Sequence, residues 1–140
     1  MNEILSGKII FNPATDSLDI VCHSMGFAYA QGMISVLKPA HIKLGRYYII
    51  APENACSGSV NQGDFEVVWQ YGCNNNPGGD PKWCQDGIAP QCAVVNLENN
   101  RVYIPIGELK GFKASHSIEN YGWIFKINIT TDPGYVKKRH

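Results

Sequence analysis

In the stretch DFEVVWQY, Phe65, Val67, Trp69 and Tyr71 alternate with Asp64, Glu66, Val68 and Gln70, and such a period of two commits a chain to extended strands with one face turned to a core. GWIFKINITT repeats the pattern, with Trp123, Phe125, Ile127 and Ile129 on one face and Lys126, Asn128 and Thr130 on the other. SLDIVCHS, HIKLGRYYII, CAVVNL and RVYIPI read as further strands, short, β-branched or aromatic, and bounded by turn residues. Only Glu98-Asn99-Asn100 separates CAVVNL from RVYIPI, which predicts a tight hairpin, and Lys8 to Phe11 would pair at an edge. GFAYAQGMISVL, residues 26–37, is the single helical candidate, weakened by about 1 kcal/mol by Gly32 in its middle.

Seven or eight short strands with polar turns predict an all-β fold: an antiparallel β-sandwich, jelly-roll or lectin-like, or a barrel, with one long Cys-rich loop. A β-rich α+β fold is the alternative. With 140 residues and no linker or repeat, one domain over residues 1–140 is expected, its core including Phe65, Val67, Trp69, Val94, Ile104, Trp123, Phe125 and Ile127.

Twelve basic residues balance twelve acidic ones, so no charge field points to nucleic acid or to an anionic membrane. No run approaches the roughly 18 apolar residues of a membrane span. Charged residues make up 17% of the chain, against about 25% in an average globular domain. The surface must therefore present amides, hydroxyls and aromatics, which suit sugars or contacts with further subunits. The first twenty residues show no basic start followed by an apolar stretch, so they do not read as a signal peptide.

CNNNPGGDPKWCQDGIAPQC, residues 73–92, concentrates three of the five cysteines. Ten residues separate Cys73 from Cys84 and seven separate Cys84 from Cys92, so no Cys-x2-Cys knuckle can chelate zinc. Asn74, Asn75, Asn76, Asp80 and Asp86 could supply oxygens to calcium but match no EF-hand spacing and serve equally as turn formers. Disulfides fit better: Cys73 with Cys84 or Cys92, and Cys56 with the remaining partner, a link of this kind contributing about 3 kcal/mol. Cys22, on a strand face with Leu18 and Ile20, is the odd thiol and reads as a small buried hydrophobe. Disulfides would favour an extracellular setting, and free thiols the cytosol.

The loop would display Trp83, whose ring could stack on a pyranose while Asn75, Asp80, Asp86 and Gln91 bind hydroxyls. The competing arrangement folds Trp83 back to plug the sandwich. Cys22 and His23 face opposite sides of a strand and cannot act as a dyad. His116, in KASHSIEN, stands with Ser115, Ser117 and Glu119, where a distant Cys or Ser could meet it in space. No nucleophile elbow, phosphate loop, metalloprotease helix or nucleotide fingerprint occurs.

IIFNPATDSLDIVCHSMGFAYA resembles the early strand pair of the small calcium-dependent galactose-binding lectins of bacteria. CAVVNLENNRVYIPIGELKGF, followed by GWIFKINITTDPG, resembles their later hairpin and the approach to their calcium loop. The likeness covers under half the chain and implies a β-sandwich. The chain runs YVKKRH after Asp132-Pro133-Gly134, without the paired asparagines and final strand of those lectins, so only Asp132 carries over, as a calcium ligand. The expected function is a non-catalytic module that binds a saccharide or glycoconjugate, with calcium the one cofactor considered. The alternative is a self-associating structural subunit.

Overall fold

A computed structural model of the chain describes residues 3, 6–72, 83–85, 88, 90–103, 116–132 and 134. Its centre is a parallel sheet. Strands β1 (Leu18–His23), β2 (Leu44–Ile50), β3 (Phe65–Gly72) and β6 (Arg101–Tyr103) lie side by side in that order, each parallel to its neighbour. A separate antiparallel pair joins β4 (Trp83–Gln85) to β5 (Pro90–Cys92). Helix α1 (Gly26–Leu37) carries the chain from β1 to β2, which makes a β-α-β unit.

The central strand shows why the sheet is covered twice. Tyr47, Tyr48, Ile49, Ile50 and Ala51 are all buried, a continuous run that only a strand packed on both faces can bury. On one face Ile20, Cys22, Tyr47, Ile49 and Val68 pack with Phe27, Ala30, Ile34 and Leu37 of α1. Those four helical positions recur every three to four residues and form one stripe. On the other face Tyr48, Ile50, Tyr71 and Val102 pack with Tyr121, Ile124 and Ile129. The first two of these lie on a 3-10 helix, Ile118–Lys126.

Two polar devices fix the edges of this arrangement. β2 carries an extra residue against β1, since Leu18 pairs with Leu44 but Ile20 with Tyr47. The Asp19 carboxylate fills the bulge, accepting from the Arg46 N–H at 2.7 Å and pairing with its Nε at 3.0 Å, and a Cβ at Gly45 would collide with it. Gln70, buried in β3, donates from Nε2 to the Cys92 carbonyl at 2.8 Å and accepts from the Val94 N–H at 2.9 Å. One buried amide thus holds the 92–94 segment on the sheet. A disulfide between Cys56 and Cys92 ties the same segment to the short 3-10 helix Ala55–Ser57. It closes a separation of 36 residues, which the chain-entropy model converts to about 4 kcal/mol.

The antiparallel sandwich expected from the alternation is therefore overturned: the described sheet is four-stranded and parallel, with helices on it, an α/β arrangement. The end of the lectin-like early stretch, residues 26–30, belongs to α1 and not to a strand. The CAVVNL–RVYIPI hairpin does not form, because Arg101–Tyr103 pairs in parallel with β3. Lys8 to Phe11 takes no strand conformation, and Ile10 is exposed. The 121–129 stretch is not a strand either. Tyr121 and Ile124 are buried and Ile127 half-buried, a spacing of three that suits 3-10 geometry, whereas Phe125 is 54% exposed. Among the other expected core residues Val94 is buried, Phe65, Val67, Trp69 and Trp123 are partly so, and Ile104 lies outside the described residues.

This difference is measurable. A Phe125 on the inner face of a strand would cost about 3 to 5 kcal/mol on truncation to Ala. In the 3-10 helix it contributes chiefly a tilted contact with Tyr48, at 5.4 Å between ring centroids, so Phe125→Ala should cost about 1 kcal/mol in denaturant unfolding. Ile124→Ala should cost about 2 to 5 kcal/mol, because Ile124 is wholly buried.

Candidate active site

The carboxyl ends of β1, β2 and β3 point to one end of the sheet, where open α/β sheets place their ligands. At the end of β1 the chain turns into α1 within two residues, Ser24 and Met25. Ser24 has φ of 55°, a left-handed conformation that a non-glycine residue adopts only at a cost of about 1 to 3 kcal/mol. Ala51, at 41°, and Asn54, at 49°, are held in the same region just after β2.

The strain at Ser24 is over-determined by backbone bonds. Its N–H donates to the Ile50 carbonyl at 3.1 Å, and its carbonyl accepts from Phe27 at 3.2 Å and Glu53 at 3.3 Å. β2, α1 and the loop after β2 therefore all grip one residue. A Cβ at Gly26 would meet the Cys22 Cβ at 3.9 Å, an ordinary contact, so the turn does not depend on glycine there. No side chain caps α1, so the backbone N–H groups of its first turn, beginning at Met25, carry the positive end of the helix dipole.

His116 completes the arrangement from 92 residues away. Its Nε2 lies 2.9 Å from Ser24 Oγ, and it is itself buried. His23 donates from Nε2 to the His116 carbonyl at 2.7 Å, and the two rings lie 5.1 Å apart at centroids with a 57° tilt. The serine hydroxyl thus meets the His116 imidazole, and the His23 imidazole bonds the main chain of the same residue.

The sequence expectation that Cys22 and His23 face opposite ways is met in this geometry. Cys22 lies in the core on the α1 side, its Sγ donating to the Tyr47 hydroxyl at 3.6 Å, while His23 reaches His116. Burial pushes the Cys22 thiol up to about 11, with hydrogen bonds to Tyr47 and Ile50 opposing it, and burial raises Tyr47 as well. Cys22 is a packed thiol and not a nucleophile. Ser24 is the residue that sequence reading missed. Cys22-His23-Ser24-Met25-Gly26 has the outline of the five-residue elbow Gly-x-Ser-x-Gly with cysteine in the first glycine position, and a strict pattern passes over it.

Of the residues expected to bind saccharide, two fall within the described residues, on the adjacent strands β4 and β5. Trp83 and Gln91 lie in the β4–β5 hairpin, where Trp83 pairs with Cys92 and Gln91 with Cys84. Asn75, Asp80, Asp86 and Cys73 lie outside the described residues. Of the disulfide candidates, Cys56 and Cys92 are joined. Asp132 accepts from the Gly134 N–H at 2.9 Å as a turn former, and among the described residues no group of three or more His, Cys, Asp or Glu is placed to hold a metal. No described helix is long and apolar enough to cross a membrane.

No family model matches the chain, and no curated protein or solved structure shows significant similarity to it.

The state of Cys22 has a pH signature. A thiol raised from about 9 to about 11 in the folded protein binds its proton more tightly than the unfolded chain does. Its contribution to stability is therefore complete below about pH 9 and is lost as pH rises toward 11. Cys22→Ala should flatten the decline of unfolding free energy over that window, and native protein at pH 8 should resist iodoacetamide at Cys22 until denaturant is added.

Proposed function

We propose that Ser24 and His116 are the nucleophile and general base of an acyl-transfer centre, and that the protein is a serine hydrolase acting on esters. The observation that carries this reading is the 2.9 Å contact between His116 Nε2 and Ser24 Oγ at a strained strand-to-helix turn. Ser24 is half-buried; a hydroxyl on such a turn can reach a carbonyl carbon, and a neutral imidazole at that distance can accept its proton as the new bond forms.

In the proposed cycle, His116 Nε2 takes the Ser24 proton while Oγ adds to the ester carbonyl, giving a tetrahedral oxyanion beside the uncapped first turn of α1. The Met25 N–H and the helix dipole favour that negative charge. Collapse expels the alcohol, which takes the proton from His116 and leaves an acyl group on Oγ. Water, deprotonated by His116, then releases the acid and restores Ser24. His23 is a positioning residue: its N–H to the His116 carbonyl holds the imidazole over Ser24.

The Cys56–Cys92 bond supports operation in an oxidising compartment. The saccharide and assembly readings both rest on the charge-poor composition, and the first also on the 74–91 loop, most of which lies outside the described residues.

Steady-state hydrolysis of p-nitrophenyl acetate tests the proposal. Ser24→Ala and His116→Gln should each lower kcat/KM by at least about a thousandfold. His23→Phe, which keeps a ring but removes the donor, should lower kcat by about tenfold or more with little change in KM. Wild-type protein that is no faster than buffer, or a Ser24→Ala variant that retains full activity, would refute it.

A further inference from the structure

Beside the candidate centre a cavity of about 510 Å³ opens between α1 and the loop 53–59. Both of its walls begin next to the nucleophile. Met25, which follows Ser24 directly, forms one side, and Glu53, whose N–H donates to the Ser24 carbonyl, forms the other. Met25, Phe27 and Ala28 give the cavity an apolar floor, and Gln31 and Asn54 bring amides to it. Among the described residues of the lining, Glu53 is the one that carries a charge.

The far wall is built to stay in place. Gly58 packs so closely on the Phe27 ring that a Cβ there would meet ring carbons at 2.5 and 2.7 Å. The Cys56–Cys92 disulfide anchors the same loop, and the Val95 N–H donates to the Gly58 carbonyl at 3.0 Å. A preformed recess with an apolar floor, lined by the residue that follows Ser24 in the chain, is suited to the non-reacting part of a substrate, whose binding offsets the cost of orienting the reacting carbonyl.

We infer that this cavity is the acyl-chain subsite of the hydrolase proposed above, and that Glu53 selects uncharged acyl chains over those ending in a carboxylate. The inference rests on that reading of Ser24 and His116. A medium-length hydrocarbon chain would lie along Met25, Phe27 and Ala28, and an acyl chain ending in a carboxylate would meet the Glu53 carboxylate with no cation among the described lining residues to compensate it.

The test keeps the leaving group constant and varies the acyl group. For wild type, kcat/KM should be higher on p-nitrophenyl octanoate than on the acetate, and Ala28→Leu, which narrows the recess from an exposed position of α1, should lower the octanoate-to-acetate ratio by at least about fivefold. Wild type should prefer p-nitrophenyl hexanoate to mono-p-nitrophenyl adipate, and Glu53→Gln, which conserves size, should narrow that preference by at least about threefold. The Glu53→Gln arm stands even where Ala28→Leu fails to fold. Hydrolysis through Ser24 with both ratios unchanged in the variants would overturn the subsite and leave the hydrolase reading intact. Absence of any Ser24-dependent hydrolysis would overturn both.

Discussion

Burial of β2 on both faces is the constraint on which the rest of the molecule depends. Tyr47 and Ile49 need a cover on one side and Tyr48 and Ile50 on the other, so α1 and the 118–129 segment are both obligatory. A strand clothed in this way must be approached by neighbours through crossovers, and parallel pairing follows. Parallel pairing in turn brings the ends of β1, β2 and β3 to one edge of the sheet, which is where Ser24, Ala51 and Glu53 meet. The same cover of the second face delivers His116, two residues before the 3-10 helix Ile118–Lys126, to that edge.

The strained residues are best understood as a consequence of this geometry. Ser24 and Ala51 each follow a strand of the sheet and each donates a backbone N–H to the end of the next strand, Ser24 to Ile50 and Ala51 to Tyr71. A left-handed turn at each point lets the chain leave the sheet while keeping that last bond. The conformational cost is offset by bonds that also fix the Ser24 hydroxyl within reach of His116. Stability is thus drawn from the double-sided core and the Cys56–Cys92 link, and part of it is used to hold one side chain where it does not relax.

Much of the local structure was legible. Strands at SLDIVCHS, HIKLGRYYII and DFEVVWQY and a helix at residues 26–37 are present, the last within the bounds that its apolar stripe implies. Alternation in DFEVVWQY points to an antiparallel sandwich, whereas the unbroken run YYIIA, buried on both sides, is the mark of a parallel sheet. A strand, a helix and a strand in succession carried the same message. Trp123, Phe125, Ile127 and Ile129 alternate in sequence, yet Tyr121, Ile124 and Ile127 also recur every third residue, and only tertiary contact with Tyr48 and Tyr71 decides between the two periods. The site was harder to see. His116 was noticed without a partner because 92 residues separate it from Ser24, and Ser24 was hidden by a cysteine in the place of a glycine.

The central claim is that the Ser24 hydroxyl is activated by His116, and covalent capture of that hydroxyl tests it most directly. Intact mass spectrometry after brief exposure to an alkyl fluorophosphonate, followed by peptide mapping, should show one adduct, on Ser24, formed slowly or not at all in His116→Gln. An unmodified protein, an adduct on another residue, or labelling of Ser24 at the same rate without His116 would contradict the account.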